Sequence, residues 1–353
     1  MGIIKSKFGE TKDKNAVYSY LLKNANGMEA EIIDFGAILR VLKVPDKTGK
    51  FLDVVHGFDT VDGYEDHNDT YYGSTIGRCG NRIGKAEFRL NDVLYKLDKN
   101  DGNNNLHGGF RGYEHRIFEV SEVNDTDEPS VCFYLNSPDM DQGFPGNLNF
   151  YVTYQLTNQN ELKISYKASS DKDTVINPTN HSYFNLNGND ADTILDQEVL
   201  IAADQFTWAD AESIPTGELV SVDGTPLDFR SFHTIGERIE DDYLALKYGG
   251  GYDHNYCVND TGKMKKIAML RSRESGILME VESDLPGMQI YTGNFIKGNQ
   301  TGKNGKVYQK RSGVCFETQY YPDAVNHDNF KKPIFKAGEV MQSETIYRFS
   351  LFA

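Results

Sequence analysis

The sequence has few cysteines, and their spacing limits the chemistry that it can support. Among 353 residues there are only four, and no two of them form a Cys-x-x-Cys pair: Cys79, Cys132, Cys257 and Cys315. Structural zinc sites and the disulfide frameworks of small secreted proteins depend on closely paired cysteines. The spacing therefore favours reduced thiols in the cytoplasm, and we expect neither a metal site nor a disulfide framework.

Positive charge and long apolar runs are also scarce. The chain carries 37 Lys and Arg residues against 52 Asp and Glu residues, a formal net charge of −15. A field of this sign repels phosphate backbones and anionic lipid surfaces. No apolar stretch approaches the roughly 20 residues that span a bilayer, and the first residues lack the apolar core of a signal peptide. We therefore expect a cytoplasmic protein without nucleic-acid or membrane partners.

Common catalytic and nucleotide-binding motifs are missing as well. The segment 298–303 has the wrong glycine spacing for a phosphate loop, and Asn304 stands where that motif needs Ser or Thr. There is no Gly-x-Ser-x-Gly, no His-Glu-x-x-His and no dinucleotide fingerprint. The function must therefore be sought in polar residues outside these motifs.

Extended segments dominate the chain. Residues 162–168 alternate apolar and polar side chains, and 150–156 precede them across a loop at 157–161 that is typical of a hairpin. Similar runs are the segments 30–44, 87–97, 276–282, 288–295, 314–320 and 345–351. Only 231–243 has weak helical character. Without helices between the strands, the pattern predicts an all-β protein with a large antiparallel β-sandwich.

No Pro- or Ser-rich linker, change of composition or repeat of fixed period divides the sequence. Residues 1–353 are therefore expected to form a single β-sandwich domain.

Glu317 is a polar residue within an otherwise apolar strand pattern. Alternation places it on one face with Cys315 and Gln319, and Val314 and Phe316 on the other. A buried carboxylate needs partners, whereas an exposed Glu is commonplace. Taken alone, the segment favours an exposed surface acid.

Two histidines lie in polar, turn-rich segments. His181 can exchange a proton near neutral pH, although a structural histidine bonded to a turn is the commoner case. His107 precedes Gly108 and Gly109, which either let the backbone approach a ligand or serve the turn itself.

Donors and acceptors for hydroxyl groups occur nearby in two further segments. Asn81 and Arg82 supply donors of fixed geometry, although one of the arginines Arg78 and Arg82 is expected to form a structural salt bridge. Asp253 either accepts hydrogen bonds from a ligand or caps a turn.

Taken in order, these segments carry a family resemblance. The sequence contains GRCGNRIGKAEF, NNLHGG, NPTNHSYFNL, GYDHNY, LPGMQIYTGNF and GVCFETQYYPDA. This series resembles the aldose 1-epimerase (galactose mutarotase) family over about residues 34–352. Phe118 departs from the family, where Trp is common at this position.

The resemblance implies a β-sandwich with a sugar in a cleft on one sheet, and an isomerase without cofactor or metal. Glu317 would be the general base, His181 the general acid, and His107 would assist near the ring oxygen. Binding of a free monosaccharide would involve Asn81, Arg82, His107, His181, Tyr183, Asp253, Gln289 and Phe295. The protein would be a monomer or homodimer.

The implied reaction needs one base and one acid. The hydroxyl group on C1 loses a proton while the ring oxygen gains one, so that the hemiacetal opens. We therefore expect Glu317 to be partly desolvated, with Arg82 or backbone donors limiting the rise of its pKa. Two alternatives remain: a non-catalytic sugar-binding module, and a mutarotase for hexose 6-phosphates, which would call for a basic cluster at the cleft.

Overall fold

A computed structural model describes residues 2–66, 68–259 and 261–352. Its strands, in chain order, are β1 Gly2–Glu10, β2 Ala16–Lys23, β3 Glu29–Ile33, β4 Ile38–Pro45, β5 Phe51–Asp53, β6 Thr75–Ile76, β7 Arg82–Ile83, β8 Glu87–Leu90, β9 Val93–Lys96, β10 Asn105–Leu106, β11 Glu119–Asn124, β12 Ser130–Ser137, β13 Leu148–Leu156, β14 Glu161–Ser170, β15 Thr174–Val175, β16 Thr179–Asn180, β17 Glu198–Ile201, β18 Gln205–Ala209, β19 Pro215–Ser221, β20 His233–Thr234, β21 Asp253–Cys257, β22 Lys265–Arg271, β23 Ile277–Ser283, β24 Gly287–Tyr291, β25 Cys315–Gln319, β26 Ile334–Phe335 and β27 Val340–Leu351.

These strands pair antiparallel. In the described part of the chain they form one nine-stranded sheet, two five-stranded sheets and four two-stranded ribbons. The nine-stranded sheet has the order β11-β12-β13-β14-β27-β23-β22-β17-β20, and the five-stranded sheets have the orders β1-β2-β3-β4-β5 and β19-β18-β21-β24-β25. The predicted all-β antiparallel architecture is therefore confirmed.

The hairpin of β13 and β14 shows why the sequence forms strands. Along β13 every second residue is buried, from Leu148 to Leu156, and its partners on β14 continue the same apolar face. Such alternation buries one side of a strand against a core and leaves the other for polar residues. The predicted hairpin is thus present, with Leu156 paired to Leu162 beside the turn.

One large hydrophobic core joins the three main sheets. It includes Leu22 and Leu42 of the N-terminal sheet, Val152 of the nine-stranded sheet, and Ile290 and Phe316 of the third sheet. Each of these side chains is fully buried. The sheets are therefore held in fixed relative positions by shared apolar burial.

The third sheet has two chemically different faces. On β25, Phe316 points into the core, while Cys315 and Glu317 lie on the opposite face by alternation. Register extends that face across the sheet, because Glu317 is paired with Gln289 of β24, which is paired with Asn255 of β21. A row of polar side chains therefore lies on a sheet anchored from behind by apolar packing.

Helices are few and short. Two α-helices lie in the described segments, α1 Val61–Asp66 and α2 Leu244–Gly249, and neither is long and apolar enough to cross a membrane. The weak helix expected at 231–243 is wrong: this segment holds β20 and a 3₁₀ turn, Ile235–Glu237, and α2 begins only after it. Ile235 and Ile239 are both buried against the core, and because they lie four positions apart, their spacing resembles that of a helix.

The core face of β25 gives a stability prediction. Phe316→Ala should lower the free energy of unfolding by about 3–5 kcal/mol, because it removes a fully buried ring and leaves a cavity. Phe51→Ala, at a phenylalanine that is 39% exposed, is the control and should cost clearly less. Urea denaturation measures both, and equal losses would contradict the assignment of Phe316 to the core.

Candidate active site

Glu317 lies buried at the floor of a cleft. Its side chain is 2% exposed, and its Oε2 atom has no hydrogen-bond partner among the described residues. The expectation of an exposed surface acid, which the segment alone favoured, is therefore wrong. Alternation identified the correct face, but loops packed over the sheet, and not solvent, cover that face.

His181 stands beside Glu317. It follows β16, and its backbone N–H donates to the carbonyl oxygen of Ser74 (2.9 Å), while its own carbonyl accepts from Gly73 N (3.1 Å). These bonds place the Nε2 atom of His181 3.6 Å from Oε1 of Glu317, and its Nδ1 atom 3.4 Å from Sγ of Cys315. The structure thus brings together two titratable groups that are 136 positions apart in the sequence.

His107 is fixed by a reciprocal pair of hydrogen bonds with Asn81. The His107 N–H donates to the carbonyl oxygen of Asn81 (3.0 Å), and the Asn81 N–H donates to Nδ1 of His107 (3.1 Å). In the neutral ring the proton therefore resides on Nε2, which becomes a hydrogen-bond donor. The ring of His107 lies 5.3 Å from that of His181, edge to face.

Gly108 explains why glycine follows His107. Its φ is +91°, and a Cβ atom there would lie 2.3 Å from the carbonyl oxygen of Gly77. Of the two roles considered for the glycines, the structure favours close backbone packing at the turn, since the nearest atoms belong to the chain itself.

Arg82, Asp253 and Gln289 form the polar wall of the cleft. The Nε atom of Arg82 donates to Oδ2 of Asp101 (2.7 Å), which is the structural salt bridge expected for one of the arginines. Gln289 Nε2 donates to Oδ1 of Asp253 (2.6 Å), and its Oε1 atom is buried without a hydrogen-bond partner among the described residues. Asp253 begins β21 and lines the cleft, so it does not act merely as the cap of a turn.

All predicted site residues line one cavity of about 120 Å³. Phe295 stands at the mouth, where its ring is 58% exposed and stacks on Tyr291 (6.2 Å). Tyr183 is buried and stacks on His181 (5.0 Å). Four lining residues were missed by the sequence analysis: Asp69, Tyr71, Leu106 and Tyr291. Leu106 and Tyr291 lie inside the NNLHGG and YTGNF motifs, whereas no sequence pattern marks Asp69 or Tyr71.

A larger hollow of about 740 Å³ involves Lys85, Glu212 and Asp323. No histidine is among its described lining residues. We assign the chemistry to the smaller cavity because the titratable residues His181 and Glu317 meet there. Two buried acceptor atoms without a hydrogen-bond partner among the described residues, Oε2 of Glu317 and Oε1 of Gln289, belong to the same lining.

Burial controls the protonation of the central pair. It raises the pKa of Glu317 well above its usual value; Asp253 raises it further, and the nearby Arg82 opposes the rise. Burial also lowers the pKa of His181 to about 4. His107 has a pKa well below normal because of burial and the charges on His181 and Arg82. Over a wide pH range, the pair of Glu317 and His181 therefore shares one titratable proton, in addition to the N–H of neutral imidazole.

The same three residues could be taken for a metal site. The ligand atoms of His107, His181 and Glu317 lie within 4.8 Å of one another, and two imidazoles with one carboxylate can hold iron or zinc. However, Nδ1 of His107 already accepts from Asn81 and its Nε2 holds the proton, so neither nitrogen offers a free lone pair. This donor set does not fit a metal and fits acid–base chemistry.

Comparison with known proteins agrees with this chemistry. The family model described as aldose 1-epimerase matches residues 18–348. The chain belongs to the aldose 1-epimerase family. Members of this family are isomerases, and so is this chain.

Relatives from animals and bacteria match almost the whole chain. The galactose mutarotase of Mus musculus is 37% identical over 351 residues, which is 99% of both chains. The aldose 1-epimerase of Haemophilus influenzae is 38% identical, covering 93% of this chain and 94% of its own. The crystal structure of an aldose epimerase homologue from C. elegans is 31% identical, with a TM-score of 0.85 over 94% of this chain and 98% of that chain. The fold and the aldose 1-epimerase activity expected from the sequence are thus confirmed.

The buried carboxyl group of this epimerase gives a pH-dependent stability prediction. Because the folded-state pKa of Glu317 is raised, the folded protein retains a proton that the unfolded chain releases above about pH 4.3. Stability therefore falls as the pH rises from that value towards the folded-state pKa. Glu317→Gln has no such proton and should therefore be more stable than wild type at pH 7. The difference should be about 1.4 kcal/mol for each pH unit, between about 4.3 and 7, that lies below the folded-state pKa of Glu317.

Thermal denaturation between pH 4 and pH 8 tests this expectation. The difference between Glu317→Gln and wild type should shrink towards pH 4. Glu218→Gln, at an exposed carboxyl group, is the matched control and should show no such trend. If the difference in stability between Glu317→Gln and wild type were the same at pH 4 and pH 7, the burial of an uncompensated carboxyl group would be contradicted.

Proposed function

We propose that this chain interconverts the α and β anomers of free aldohexoses such as galactose and glucose. The observation that carries the proposal is the 3.6 Å separation of Glu317 Oε1 and His181 Nε2 at the cavity. Anomer exchange requires proton transfer at two oxygen atoms, the C1 hydroxyl and the ring oxygen, both bonded to the same carbon. Two titratable groups at this distance suit that pair of atoms.

The proposed reaction proceeds by ring opening and closure. The carboxylate of Glu317 accepts the proton of the C1 hydroxyl group, and the imidazolium of His181 donates a proton to the ring oxygen. The bond between C1 and the ring oxygen breaks, and an aldehyde forms. Rotation about C1–C2 presents the other face of the aldehyde, and ring closure returns both protons. No electrons are gained or lost, and both groups end in their starting state.

The single proton held by the pair supports this mechanism. In the ligand-free cleft burial favours the neutral forms, with the titratable proton on Glu317 and His181 as neutral imidazole. Moving that proton to His181 gives the carboxylate and the imidazolium without exchange with solvent. Arg82 favours this arrangement, because its charge lowers the pKa of Glu317. The apparent pKa values of such a pair belong to both groups together.

The remaining cleft residues are proposed to bind the sugar. Nε2–H of His107 is free to donate near the ring oxygen, since Nδ1 is held by Asn81. Oε1 of Gln289 is a buried acceptor that a sugar hydroxyl group would satisfy. Arg82 and Asp253 are proposed to hold further hydroxyl groups, and the exposed ring of Phe295 to pack on the apolar face of the sugar.

Charge in the cleft favours free sugars over hexose 6-phosphates. Among the described lining residues Arg82 is the one with a permanent positive charge, and it is already paired with Asp101. The lining also carries the acids Asp69, Asp253 and Glu317. A phosphate dianion would therefore enter a region without a compensating basic cluster.

We also propose that the protein acts in the cytoplasm as a single folded domain. The four cysteines are free thiols, as suits a reducing compartment. One apolar core extends from Tyr20 to Phe349, which favours one domain over two. That the protein is either a monomer or a homodimer stays a prediction.

Loss of the proposed base should abolish the reaction. Glu317→Gln cannot accept a proton, so kcat on fresh α-D-galactose should fall by at least ~10²-fold, as followed by polarimetry. Glu218→Gln should keep the wild-type rate. If Glu317→Gln retained wild-type mutarotation, the base would have to be another group. If wild type did not accelerate the change in optical rotation but still bound galactose by calorimetry, the protein would be a non-catalytic binding module.

Substrate competition should separate free from phosphorylated hexoses. We expect kcat/KM for glucose 6-phosphate to be at least about tenfold lower than for glucose, because like charges face one another in the cleft. Glucose 6-phosphate should also be a poor competitor of galactose. Equal or higher kcat/KM for the phosphorylated sugar would favour the alternative of a hexose 6-phosphate mutarotase.

A further inference from the structure

Tyr71 contacts both histidines of the cleft through its ring. The ring lies nearly parallel to that of His181, at 25° and 5.6 Å between centroids, and edge-on to that of His107, at 63° and 4.7 Å. Tyr71 also lines the cavity. None of the sequence motifs includes this residue.

The backbone of Tyr71 is held in a conformation that tyrosine rarely adopts. Its φ is +56°, directly after a 3₁₀ turn at Asn68–Thr70. Two hydrogen bonds of His181, one to Ser74 and one from Gly73, tie the next turn of chain to the histidine. A left-handed conformation at an aromatic residue costs free energy, and such strain often accompanies a functional role.

We propose that Tyr71 is a positioning residue that acts on the reaction through His181, by holding the imidazole ring in place and stabilising it when it carries a proton. This inference rests on the proposed function, since it assigns a partner to the proposed general acid. It concerns the ring of Tyr71 and not its hydroxyl group.

The physical argument starts from the cost of a buried cation. Desolvation disfavours the imidazolium form of His181 and lowers its pKa to about 4. The face of an aromatic ring attracts a cation, and this attraction grows when water is excluded. The stacked ring of Tyr71 therefore offsets part of the desolvation penalty in the state that must donate a proton.

Three titratable side chains and two further tyrosine rings also face His181. Glu317 lies at Nε2 and exchanges the proton, Cys315 lies at Nδ1, and His107 is a neutral neighbour. Tyr183 stacks on the ring at 5.0 Å, and Tyr291 meets it edge-on at 6.2 Å.

Of the three tyrosines that contact His181, Tyr71 is the one outside the buried aromatic cluster. Tyr183 and Tyr291 belong to a buried aromatic cluster with Tyr72 and Tyr308, so their loss would disturb the packing. Tyr71 lies outside that cluster and is only partly buried.

Three variants of Tyr71 test the proposal. Tyr71→Phe keeps the ring and should retain kcat within about twofold. Tyr71→Leu keeps an apolar cover without a π face, and kcat on galactose should fall about three- to tenfold with little change in KM. Tyr71→Asn removes the ring but suits the positive φ, so it should fold and show a similar loss.

The dependence on pH distinguishes an effect on His181 from a general loss of activity. Without the stacked ring the imidazolium is less stable, so the acid limb of the kcat profile should move to lower pH by about half a unit to one unit. NMR titration of the His181 imidazole should show the same downward shift in the free protein. Tyr151→Leu, at a partly buried tyrosine that packs on Tyr134, is the matched control and should change neither quantity.

Several results would overturn the proposal. Unchanged pH profiles and an unchanged His181 titration in both Tyr71→Leu and Tyr71→Asn would do so. A rise in KM with kcat retained would make Tyr71 a wall of the sugar site and not a partner of His181. Loss of activity in Tyr71→Phe would assign the role to the hydroxyl group. If wild type itself lacked mutarotase activity, the proposed function would fail, while the NMR titration would still decide the effect of Tyr71 on His181.

Discussion

The structure depends on the period of two along β25. Phe316 enters the apolar core, and its neighbour Glu317 lies on the opposite face, so a single strand contributes to both the core and the cleft. A carboxyl group on a strand anchored in this way has little freedom to move towards solvent. Burial of that group without a full set of partners is unfavourable, and the packing of the whole core maintains it.

Backbone hydrogen bonds fix the segments that carry the two histidines. Asn81 and His107 exchange two bonds, and His181 is bonded through both its N–H and its carbonyl to the Gly73–Ser74 turn. The bond from Asn81 to Nδ1 of His107 orients that imidazole ring and selects its tautomer, whereas the two bonds of His181 fix its backbone. The loops over the third sheet are therefore part of the acid–base apparatus.

The burial of Glu317 and His181 determines how these two groups share a titratable proton. Burial raises the pKa of Glu317 and lowers that of His181, so that both groups favour their neutral forms. A reaction that runs in both directions requires the opposite arrangement to be accessible, with a carboxylate and an imidazolium. Arg82 on one side and the aromatic rings around His181 on the other provide the charge and the π faces that reduce this energy difference.

By itself the sequence determined the fold class, the strands around Glu317 and Gln289, and the order of motifs that indicates the family, because these are local patterns and spacings. It also determined which face of β25 carries Glu317, since alternation needs no knowledge of other strands. Tertiary structure alone decided that this face is buried, because Tyr71, His107 and His181, which line the cavity beside Glu317, lie more than 100 positions away in the sequence. It alone placed Tyr71 on His181, since no periodicity relates a loop residue to a ring on another segment. It alone separated the pKa values of Glu317 and His181, since desolvation depends on the assembled cleft.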